Sequence, residues 1–195
     1  WFMVSMLVLV TQETVFRAAA VSAEATADLA DAYYDVRAGL GGSKTPDEFG
    51  AFPTDAYSHT PGHAGAKQPG LTGQVKEDAL CRWGELGVLV QDGCIVFRPL
   101  LLRAEEFVSE PISFAFVDVH DQHQSLDLDA GQLAFTLCAT PVVYRSAPTL
   151  SVRVVASDGA VTAVDGDALP SDLSAEVFGR TGAVARIEVD IPPGR

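Results

Sequence analysis

The side chains best suited to chemistry lie in one stretch, residues 57–77. Tyr57, His59, Lys67, Gln68, Gln74 and Glu77 bring together aromatic rings, planar amides, a cation and a carboxylate. Neutral polyols are recognised by such groups, and the glycines among them let backbone approach a ligand closely. Glu77 falls in the first turn of the helix that Thr72 begins. The helix dipole favours its ionised form there, so it suits a base or a hydrogen-bond acceptor better than a proton donor. Its plainer role is to stabilise the helix N-terminus. Lys76 beside it reads as a solvated neighbour, and Glu85, two turns on, as a structural acid before Gly87.

Other candidates carry less chemistry. His120, Asp121 and His123 offer ligand types for a metal, but a polar turn between strands keeps such groups solvated. No metal or cofactor is therefore expected. Asp31 and Asp35, at i and i+4, fit an acidic helix surface. Glycosidic cleavage needs a proton donor and a second carboxylate, and this stretch supplies one candidate at most. The chain has no nucleotide-binding glycine loop, no helical pair of histidines and no nucleophile elbow. The three cysteines, Cys81, Cys94 and Cys138, are an odd number without close spacing. They read as small buried residues in a reducing, cytoplasmic setting rather than a disulfide framework.

These residues need elements to hold them. Residues 1–40 read as helix, with Ser22 as the cap of a second helix. The glycines at 39, 41 and 42 end that stretch. Residues 41–73 form a loop rich in proline and glycine, long enough to be functional. Val75, Ala79, Leu80, Trp83 and Leu86 then recur at helical spacing, and Gly87 stops the helix.

Beyond Gly87 the period changes to two. Val88–Val90 and Cys94–Phe97 flank Asp92-Gly93 as a hairpin. Further strands are expected at Ile112–Val119, Ser125–Leu128, Gln132–Cys138, Val142–Tyr144, Leu150–Val155, Ala160–Val164, Ala175–Phe178 and Val184–Ile191. The fold class is α+β. Residues 1–86 form helices and a long loop, and residues 87–195 an antiparallel, jelly-roll-like β-sandwich.

Composition bounds the partners. Of 195 residues, 48% are hydrophobic and 20% charged, enough apolar material for a core. A net charge of −13 disfavours nucleic acid and anionic membranes, which need cations, and disfavours acidic polymers too. Neutral ligands and proteins remain. Trp1–Val10 is apolar but lacks a basic start and a cleavage site, so it is no signal peptide. It is also too short to span a bilayer. A helix apolar on every side must be covered by protein, so the chain is expected to be a fragment of a larger helical domain.

The order of helices, then β-sandwich, is similar to the carboxyl-terminal end of six-hairpin (α/α)6-toroid carbohydrate-active proteins, the group of glycoside hydrolases that includes cellobiose-phosphorylase-like members. Residues 65–77, leading into Arg82-Trp83-Gly84-Glu85-Leu86-Gly87, and the strand Asp92–Leu101 carry the resemblance. It implies the last helices of a toroid, completed by the N-terminal part of the same protein, and an enzyme acting on glycosidic bonds with water or phosphate as acceptor. The partner is then an oligosaccharide or other neutral carbohydrate. Residues 41–73 would sit at the toroid mouth and the sandwich would buttress the barrel, while Glu77 is the catalytic candidate on its own chemistry alone. Two other readings compete. One is a non-catalytic carbohydrate- or protein-binding β-sandwich module, which predicts an exposed aromatic platform on its strands. The other is a structural chain end.

Overall fold

A computed structural model describes residues 2–19, 22–38 and 79–192. The chain divides into two compact units, Trp1–Glu85 and Leu86–Arg195. The first is helical and the second β-rich, so the protein is α+β.

In the helical unit, α1 spans Phe2–Ala18 and α2 spans Ala23–Ala38. The apolar opening segment thus lies within a helix. Ser22 caps α2, its Oγ accepting the amide of Ala25 at 3.3 Å. The helix α3 covers 79–85. Val15, Ala30, Tyr33 and Cys81 are buried. Gln12 donates from Nε2 to the Cys81 carbonyl at 2.9 Å and to the Tyr33 hydroxyl at 3.4 Å. Tyr33 in turn donates to Glu85 Oε1 at 2.8 Å, and Arg82 holds the other oxygen at 3.2 Å. This buried lock ties α1, α2 and α3 together. Gly84 is required within it, since a Cβ there would collide with the Gln12 amide.

The β-rich unit opens with the hairpin β1 (Val88–Gln91) and β2 (Cys94–Phe97). Asp92 and Gly93 both have positive φ, 50° and 78°, as a tight type I′ connection needs. A second hairpin pairs β3 (Ile112–Val117) with β4 (His123–Leu128). The main sheet contains β5 (Gln132–Leu137), β6 (Thr140–Ser146), β7 (Ser151–Ala156), β8 (Val161–Val164) and β9 (Val184–Ile191), in the order β5-β6-β9-β7-β8. Only β6 and β9 run parallel in it.

Alternation sets the two faces of this sheet. Val142, Ile187 and Val154 form one buried row across it, and Tyr144, Val189 and Val152 another. Phe97 and Phe135 meet Tyr144 edge to face, with centroids 6.2 and 5.2 Å away. Tyr144 also donates to the Leu86 carbonyl at 2.6 Å, fastening the start of the unit to its sheet.

The opposite face is ionic. Arg145 meets Asp190 at 2.9 Å, Arg153 meets Glu188 at 3.4 Å and Asp190 at 3.1 Å, and Arg186 meets Glu188 at 2.7 Å. The expected sandwich is not closed. Among the described residues the other two sheets are two-stranded hairpins, too small to close a sandwich over the five-stranded sheet.

One expected strand is a helix. Residues 175–178 belong to α4, Ser171–Phe178. Pro170 precedes it, Asp172 lies in its first turn, and Ser174 and Val177 are its buried residues. Their spacing of three is helical, not strand-like. Helix α4 adjoins β2 and β9 and connects the edge strand β8 to the central β9.

Candidate functional site

The β-rich unit holds a cleft of about 370 Å³. Its walls come from four segments: the β3–β4 hairpin, the β5–β6 turn, Ser157 after β7, and the residues leading into β9. Phe116 supplies an aromatic wall, and it stacks on Phe114 with centroids 5.8 Å apart and planes 16° apart.

Asp118 builds one side of the cleft. Its Oδ1 accepts the amides of His120 at 2.8 Å and Gln122 at 3.0 Å, and its Oδ2 accepts Gln124 Nε2 at 2.9 Å. The Gln122 amide, followed by Gln124 and by the amide and charge of His120, holds the Asp118 carboxyl below its ordinary value of 3.8. Asp118 is thus an ionised clamp on the loop and not a proton donor. The His120 ring rests over Gly182, where a Cβ would come within 3.0 Å of Nε2.

The far wall is the β5–β6 turn. Cys138 and Ala139 adopt φ of 51° and 65°, the left-handed pair that a two-residue type I′ hairpin turn between β5 and β6 requires. The next residue, Thr140, is 2% exposed and lines the cleft, and its hydroxyl makes no hydrogen bond among the described residues. Arg186 also lines the cleft, with its Nε donating to Glu188 Oε1 at 2.7 Å.

The lining offers several hydrogen-bonding groups, one aromatic ring and one carboxylate. Asp118 is the single carboxylate of the lining, and a glycosidic bond needs two, roughly 5–9.5 Å apart. No group of three or more His, Cys, Asp or Glu able to hold a metal occurs among the described residues. His120 belongs to the cleft wall, and Asp121 is a turn residue with φ of 58°.

Tyr57, His59, Lys67, Gln68, Gln74 and Glu77 lie outside the described residues. Glu85 is 6% exposed and hydrogen-bonded inside the helical lock. Tyr33 is buried there as well, and meets Tyr34 edge to face at 5.0 Å. Phe116, Gln124, Thr140 and Arg186 escaped sequence reasoning, because no local spacing links four segments that meet only in the folded sheet. The one local signal was Asp118, whose bonds to the amides two and four residues on are a turn signature.

No protein-family model matches the chain, and no curated protein matches it. No helix among the described residues is long and apolar enough to cross a membrane.

Proposed function

We propose that the chain works in a carbohydrate-active enzyme that cleaves glycosidic bonds by hydrolysis or phosphorolysis, within a helical toroid, on a neutral oligosaccharide. One observation carries this reading: a helical unit ends at Glu85 and a β-rich unit begins at Leu86. That succession supports the likeness to the carboxyl-terminal end of six-hairpin glycosidases. In this role the helical unit, closed by the Gln12–Tyr33–Glu85 lock, presents Glu77 and the side chains of residues 57–74 to a sugar. In this reading the β-rich unit has a supporting role, its sheet laced by ion pairs on one face and filled by apolar rows on the other. Its cysteines suit a reducing cytoplasm.

The test is turnover of a disaccharide panel, with and without phosphate, by the full-length protein and its Glu77→Gln variant. Phosphate-dependent release of a sugar phosphate identifies phosphorolysis, and phosphate-independent release identifies hydrolysis. Loss of turnover of 10³-fold or more, on the order expected for a nucleophile or base, places Glu77 in the reaction. Unchanged turnover removes it. No cleavage of any disaccharide by the unaltered protein removes the whole reading.

A further inference from the structure

We propose that the cleft beside the β3–β4 hairpin is a binding site for a single neutral pyranose, which gives the β-rich unit a ligand of its own beyond support. Three features of the lining select that class. The first is charge. Asp118 and Arg186 face one space with opposite signs, so an anion meets the carboxylate and a cation meets the guanidinium. An uncharged ligand meets neither penalty. The second is the inventory of free hydrogen-bonding groups. Gln124 spends its Nε2 on Asp118 and keeps Oε1 as an acceptor. Arg186 spends Nε on Glu188 and keeps its terminal donors. Thr140 adds a hydroxyl that both donates and accepts. A ring of hydroxyl groups, each donor and acceptor at once, satisfies such a mixed set.

The third feature is the buried Thr140 side chain itself. A buried hydroxyl without a partner costs free energy, so such groups call for a water or a ligand. Thr140 follows directly on the Cys138-Ala139 hairpin turn, which fixes its place in the lining. Phe116 adds an aromatic ring to the same lining, the kind of flat apolar surface on which the C–H face of a sugar ring packs. The volume of about 370 Å³ falls at the small end of ligand sites, roughly 300–1,000 Å³, which suits a single ring rather than a polymer.

The experiment is a titration of the whole chain, followed by amide shifts, with methyl glycosides of glucose, galactose, mannose and xylose. Glucuronate serves as the anionic probe. At least one neutral glycoside is expected to shift the amides of Gln124, Thr140 and Arg186 together. Thr140→Val keeps the strand and the shape, and should weaken that binding ~5-fold, the worth of one neutral hydrogen bond. Phe116→Ala should weaken it about tenfold or more, as loss of a stacking surface does. Unperturbed amide spectra outside the cleft show that each variant is folded. The proposal is overturned if no neutral glycoside shifts these amides, if glucuronate binds more tightly than all of them, or if Thr140→Val leaves affinity unchanged. Because Glu77 plays no part in this titration, sugar binding here without cleavage sinks the enzyme reading alone. Cleavage without binding here sinks this one alone.

Discussion

Asp118 shows what one exposed carboxylate does when the backbone is arranged around it. Two amides and one side-chain amide point at its oxygens, all within 3.0 Å, and together they lower its pKa. The sign follows from linkage. A carboxyl whose folded pKa lies below its unfolded value stabilises the fold above that unfolded value, and the contribution disappears as pH falls through the folded one. The hairpin loop should therefore keep the exchange protection of the Gln122 amide from neutral pH down to about 3.8, the ordinary carboxyl value. Below that, as Asp118 protonates, the protection should fall. In Asp118→Asn this acid-range change should vanish, which a pH series of amide spectra checks. The role of Asp118 was half legible in the sequence. Its bonds to the amides two and four residues on are local, but its bond to Gln124 depends on the register of β3 against β4.

At the scale of elements, the junctions carry the specificity. Gly87 has φ of 69°, and a Cβ there would strike the carbonyl of Arg98 and the nitrogen of Pro99. The same two segments are joined by the Arg98 amide donating to the Gly87 carbonyl at 2.7 Å. Gly87→Ala should then cost about 3 kcal/mol or more, adding left-handed backbone strain to a clash with main chain. Urea unfolding of the variant, followed through amides of β1 and β2, measures it. That Gly87 ends a helix was evident from sequence, because glycine after a helical period is a local stop signal. That it also abuts Arg98 and Pro99 was not, since the approach arises when β1 folds back on β2. Helix α4 makes the converse case. A short run ending in Ala175-Glu176-Val177-Phe178 satisfies a strand pattern as readily as a helix over four residues. The turn begun at Ser171, and the burial of Ser174 and Val177 at a spacing of three, decide for the helix.

For the whole molecule, each unit has its own means of cohesion. The helical unit depends on a buried polar lock and the β-rich unit on apolar rows beneath an ion-paired face. Tyr33→Phe removes the hydroxyl that donates to buried Glu85 and should cost about 1–3 kcal/mol. Measured by native-state amide exchange, that loss should appear in α1 and α2 while β9 keeps its protection. Gly87→Ala should show the reverse pattern. Equal losses in both units for either variant would mean that the chain unfolds as one cooperative body.

What the sequence alone determined is what neighbouring residues decide among themselves: the Ser22 cap, the Asp92-Gly93 turn, the stop at Gly87, and the alternation of β9 from Val184 to Ile191. Each depends on backbone angles or periodicity within a few positions. The tertiary structure decided the rest. It placed β9 between β6 and β7, brought Arg145 onto Asp190 across 45 positions, and drew four segments around one cleft. Those outcomes depend on which faces can be buried together, and that balance of burial against desolvation exists only between elements already formed.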